Sequence, residues 1–206
     1  MAKDAWESGI LQDELPTAEQ RRDLRQIARE RNWGLSLVLV GWLHLLAFLS
    51  CYYLTIVQDY HGSLGYMMIW VGELIGVWLI FRFCGGPRGP GQVAAPLELL
   101  VRRIWIAYFV LAFNLGSLNT LRGHDRYEFF PAMASLAAFA FIMMSVVVDR
   151  RFFWAVLTLF LSGLLMAYAL LHAYLIFAVA WWLVLNGIGL MLLHDRHQAR
   201  RREPAR

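Results

Sequence analysis

The sequence predicts an all-α fold: a polytopic membrane bundle of six transmembrane helices, both termini cytoplasmic, with a short amphipathic helix ahead of the first span. Three observations predict it. Hydrophobic residues fill 59% of the 206 positions and the mean hydropathy is +0.50, well above the roughly 45–50% apolar usage of soluble domains. These residues fall into runs long enough to cross a hydrocarbon core of about 30 Å, separated by short polar segments. Basic residues occupy alternate segments: seventeen of the 19 lie before Trp33, between Arg82 and Arg103, at Arg150 and Arg151, or after His194, which leaves Arg122 and Arg126 on the opposite side. By the positive-inside rule this is an N-in, C-in protein of the cell inner (plasma) membrane.

Residues 1–33 form a cytoplasmic segment. Its LPTAEQRRDLRQIARERNW stretch has capping-box spacing at Thr17 and Gln20 and a thin apolar stripe of Leu24, Ile27 and Ala28, as in a helix lying along a membrane surface. Residues 34–193 hold the six spans, near 34–56, 64–83, 101–120, 130–148, 152–171 and 175–193. A linker at 84–96, CGGPRGPGQVAAP, separates the first two from the rest, because its Gly and Pro content forbids a helix. The 42 uncharged residues from Phe152 to Leu193 would make one helix of about 63 Å. That is twice a bilayer, so a turn is expected near His172, Ala173 and Tyr174. Residues 194–206 form a basic tail.

Within these runs the residue that demands explanation is Glu73, centred in GYMMIWVGELIGVWLIF. A carboxyl at mid-bilayer costs about 2.5–3.5 kcal/mol on insertion scales, so it is expected to face other helices. Gly65, Gly72 and Gly76 share a helical face with Glu73 at its edge, and Gly72 with Gly76 forms a GxxxG, the spacing that admits close helix approach in lipid. Helix 2 is therefore expected to pack centrally. His44 reaches the same depth in helix 1, Asn114 lies near the middle of helix 3 and Asn186 near the middle of helix 6. Together the four make a candidate polar core: a protonatable Glu/His pair in a pathway lined by asparagines, or interhelical hydrogen bonds that only fix packing.

The outer loops contain a second set, His61, His124, His172, Asp125 and Glu128, whose donors suit a transition metal although no pair has a metal-motif spacing. His44 and His172 lie at different depths and make a poor axial pair for haem. No cofactor is predicted; an outer metal or a haem is the alternative that these histidines admit. Cys51 and Cys84 fall at opposite ends of adjacent spans, out of reach of each other. The opening MAKDAWESG lacks the apolar core of a cleaved signal peptide.

Enzyme motifs are missing where they can be checked. The segment around Ser135 lacks the glycines of a membrane serine protease, and the cytoplasmic side lacks the histidine clusters of membrane desaturases. The basic segments have no basic domain or aromatic platform beside them, which argues against nucleic acid and for anionic lipid headgroups as their partners. The first functional expectation is transport or conduction of a small solute or ion, with Glu73 titrating and His44 its partner. The alternative is a non-catalytic accessory, assembly or sensory subunit of a membrane complex. A third is a membrane-embedded enzyme with an outer-face metal site. A homo-oligomer or a larger complex fits any of them.

Overall fold

In the computed structural model, residues 26–28, 32–58, 63–84, 96–122 and 127–202 are described. They form six long helices: α1 (Trp33–Tyr52), α2 (Ser63–Cys84), α3 (Pro96–Leu121), α4 (Phe129–Val147), α5 (Phe153–Tyr168) and α6 (Ala173–Arg202). The described residues contain no strand. All six segments are long and apolar enough to cross a membrane, once the π-helical turn Tyr53–Val57 is added to α1 and the flanking 3-10 turns to α5 and α6. Residues 26–28 are helical; the rest of the expected N-terminal amphipathic helix, the linker over 85–95 and the loop residues His61, His124 and Asp125 lie outside the described residues.

The ends of the helices differ from the sequence expectation in physically readable ways. α3 begins at Pro96, five residues early: proline suits the first helical position, and Glu98 in the first turn favours the helix dipole. α6 runs past 193 to Arg202, because HDRHQARRR contains good helix formers and its cations sit well near a C-terminus. The α5–α6 break falls slightly earlier than expected, at Ala169, followed by a 3-10 turn over Leu170–His172 closed by the His172 amide donating to the Ala169 carbonyl.

The most extensive seam of the bundle is α1 against α6, and α2 is peripheral rather than central. α1 runs along α6, α5 packs on α4 and on α6, while α2 leans chiefly on α1 and α3 chiefly on α4. Only 11% of the α2 span and 6% of the α3 span are buried, against 44% for α4 and for α6. Small residues explain the choice. At the α1–α6 crossing a Cβ on Gly34 would lie 2.7 Å from the Gly189 carbonyl oxygen, and one on Gly41 would lie 2.6 Å from Asn186 Nδ2. Close backbone approach of this kind is what brings helices together where lipid supplies no hydrophobic drive. In α2, by contrast, a Cβ on Gly72 would meet no described residue within 4 Å. The GxxxG there does not act as a two-glycine contact surface.

The entry to α1 is tied to α6 as well. Asn32 takes a left-handed conformation, φ 53°, which asparagine tolerates better than most residues, and its side-chain oxygen accepts from the Arg196 guanidinium. At the far end, Thr55 Oγ1 and Tyr66 Oη lie 2.7 Å apart and join the π-helical turn after α1 to the start of α2.

Candidate functional site

Glu73 and His44 meet. His44 Nδ1 lies 2.5 Å from Glu73 Oε1, bridging α1 and α2 near their midpoints. At about 1.5 Å per residue, Glu73 lies roughly 15 Å from the start of α2 and His44 roughly 17 Å from the start of α1. The local sequence makes the meeting possible. Gly76, one turn beyond Glu73, presents bare backbone to Leu43, the neighbour of His44; a Cβ there would come 2.6 Å from Leu43 Cδ2. The two helix axes can therefore approach closely enough for a short carboxyl and an imidazole to touch.

The pair is mostly enclosed, with side-chain exposures of 10% for Glu73 and 17% for His44. Aromatic rings form the enclosure. The imidazole stands 4.3 Å from Phe48, 5.8 Å from Trp181 and 6.3 Å from Phe177, centroid to centroid, and Phe48 in turn packs on Trp70 of α2 at 4.8 Å. These are the tilted and edge-on arrangements that aromatic quadrupoles favour. The second imidazole nitrogen, Nε2, is buried and meets no hydrogen-bond partner among the described residues. Thus one ring nitrogen is committed to the carboxyl and the other is not.

A contact of this kind can hold one proton in two ways. With Glu73 ionised, Nδ1–H donates to Oε1; with Glu73 protonated, Oε1–H donates to Nδ1 and the imidazole keeps its hydrogen on Nε2. A proton arriving at one ring nitrogen can leave from the other, which is the chemical basis of histidine relays.

Of the other sequence candidates, Asn186 is buried beside Gly41 on the α1–α6 seam, where Nδ2 donates to the Trp182 carbonyl of its own helix at 2.8 Å. It neighbours the site without bonding to the pair. Asn114 is exposed on α3, a helix outside the central pair, and does not line a core. Gly65 lies in the first turn of α2. Glu128 and His172 are both exposed, His172 with its ring 6.1 Å from Tyr52. Among the described residues no three His, Cys, Asp or Glu side chains cluster as a metal site would need.

What sequence reading missed is the aromatic enclosure. Its signal is present: His44 with Phe48 and Phe177 with Trp181 are both spaced i, i+4, so each pair occupies one helical face. Fold and site together define a bundle of six helices long and apolar enough to cross a membrane, with an acid–imidazole contact near the midpoints of two of them. Compared with family models, curated proteins and solved structures, the chain has no match.

Proposed function

We propose that this is a multi-pass membrane protein that moves protons, or a small solute coupled to them, through the His44–Glu73 pair. The observation that carries the reading is the 2.5 Å contact itself. An ionisable pair is expensive at bilayer depth, and intramembrane acids and histidines that face a bundle interior mark proton and substrate pathways by default. Nε2, which has no hydrogen-bond partner among the described residues, is the atom from which a relay would pass the proton on. Arg82, Arg102, Arg103, Arg150 and Arg151 lie at one end of the helices, which by the positive-inside rule supports a cytoplasmic side for that end.

The test is flux. Purified chain reconstituted into vesicles enclosing a pH-sensitive dye should dissipate an imposed proton gradient, and Glu73→Gln should remove that activity while eluting as the wild type does. Equal dissipation by both proteins would take Glu73 out of the mechanism.

A second reading has its own observation. α2 and α3 leave Trp78, Phe83, Phe109 and Phe113 exposed, an apolar surface that a larger membrane complex could cover. In that reading the chain is a non-catalytic subunit, and the pair only joins α1 to α2. Purification in mild detergent separates the two: a stoichiometric second protein favours the subunit, a lone chain or homo-oligomer favours the transporter.

A further inference from the structure

At the end of the bundle that bears most of the arginines, the helices enclose a cavity of about 390 Å³ that does not include His44 or Glu73. Its walls are apolar: Leu37 of α1, Phe81 of α2, Trp105 of α3, Met144 of α4, and Ile188 and Leu192 of α6. Its charged lining residues are Arg102, Asp149, Arg151 and Asp195. From Asp195 to Leu185 along α6 the lining spans about 15 Å, and from Asp149 to Phe141 along α4 about 12 Å, at ~1.5 Å per residue. One leaflet of a ~30 Å hydrocarbon core is about as deep. The volume falls in the range of ordinary ligand sites, roughly 300–1,000 Å³.

The charged groups divide into used and unused. Arg151 is held by Asp195, with Nη2 donating to Oδ2 at 2.8 Å, and by Asp149, with Nε donating to Oδ2 at 3.1 Å. Arg102 is exposed and makes no hydrogen bond or ion pair with a described residue. Glu98, one turn earlier on α3, is buried and has an interaction of its own. An apolar slot one leaflet deep, with an uncommitted guanidinium in its lining, has the shape and polarity of a lipid with a phosphate at its head. We infer that the cavity is a built site for a glycerophospholipid, with one acyl chain among Leu37, Trp105, Met144 and Ile188 and the phosphate on Arg102. Guanidinium–phosphate pairs are short, charge-assisted and often bidentate, which gives the site its selectivity for a phosphorylated head over a neutral one.

The experiment is native mass spectrometry of the full chain in mild detergent, with dioleoylphosphatidylglycerol, dioleoylglycerol or inorganic phosphate added at equal concentration. One phosphatidylglycerol should stay on each chain, with the diacylglycerol and free phosphate retained about tenfold less, a difference of one decade in affinity. Ile188→Trp, which puts an indole into the cavity, should lower phosphatidylglycerol retention about tenfold. Arg102→Gln, at an exposed position that leaves packing alone, should lower it severalfold and leave diacylglycerol unchanged. Undiminished retention in Arg102→Gln overturns the head-group assignment even if Ile188→Trp fails to fold. Undiminished retention in a folded Ile188→Trp places the lipid elsewhere on the bundle. Phosphate retained as well as the lipid reduces the site to an anion site, and no retention at all leaves the cavity without a lipid role; each of these overturns the inference.

Discussion

Gly34 and Gly189 meet backbone to backbone where α1 crosses α6: a Cβ on either would stand 2.7 Å from the other's carbonyl oxygen. Backbone cannot yield as a side-chain end can, so Gly34→Ala should force these two closely packed helices apart. Overpacking of this sort costs about 1–3 kcal/mol. A lower midpoint in thermal unfolding followed in detergent is the expected result, with Gly189→Ala behaving alike. An unchanged midpoint would mean that the crossing is not the tight centre of the bundle.

Gly72 is the matched control. No described residue lies within 4 Å of the position its Cβ would take, so Gly72→Ala should move stability by no more than about 0.5 kcal/mol, as at open surface positions. Gly76→Ala should fall between, because the atom it meets is the mobile tip of Leu43. An order of Gly34, Gly76, Gly72 from most to least damaging is the expected outcome of the same unfolding measurement.

The contrast between these glycines shows where sequence reading stops. The number of long apolar helices follows from run length, and the matching distances of His44 and Glu73 from their helix ends already suggest that the two meet. Facing is a different matter. In α2 and over residues 104–113 of α3 nearly every position is apolar, so no stripe marks an inner side and periodicity cannot tell an outward-facing residue from a core one. Asn114 was readable as mid-span but not as outward, and Gly72 as a small residue but not as one without a neighbour. The true crossing uses Gly34 and Gly41 against Asn186 and Gly189, residues about 150 positions apart that no local spacing connects. The aromatic shell of His44 was hidden for the same reason: Phe48 and Trp181 are each ordinary in their own helix and become a shell only when α1 lies on α6.

Arg151 ties the α4–α5 turn to α6, and its contribution should depend on salt. Asp149 caps the 3-10 turn by accepting from the Arg151 backbone amide at 3.0 Å and also receives its guanidinium, while Asp195 comes from α6. Arg151 is about half exposed, so each ion pair is screened and is worth about 0.2–1 kcal/mol. Asp149→Ala removes a cap as well as a charge, which adds about 1 kcal/mol. Unfolding midpoints at low salt and at about 1 M salt should show the Arg151→Ala penalty shrinking with salt and the Asp149→Ala penalty largely persisting. Equal salt sensitivity of the two would argue that the backbone cap contributes little.

His44 and Glu73 should behave as one unit under substitution. Glu73→Leu leaves Nδ1 enclosed by Phe48, Trp181 and Phe177 with no acceptor, and His44→Leu leaves a carboxyl enclosed with no donor. A buried polar group that loses its partner costs about 1–3 kcal/mol. Replacing both residues removes the cost of each orphan, and apolar replacements of buried ionic pairs are often neutral or stabilising. The double variant should therefore be at least as stable as either single one, with a coupling of about 0.5–3 kcal/mol in a double-mutant cycle. Additive penalties would show that the two side chains do not interact across the α1–α2 contact. The same variant also separates packing from transport: a well-folded His44→Leu, Glu73→Leu protein that passes no protons in vesicles assigns the pair to the pathway. One that still passes them leaves the pair as a tie between helices.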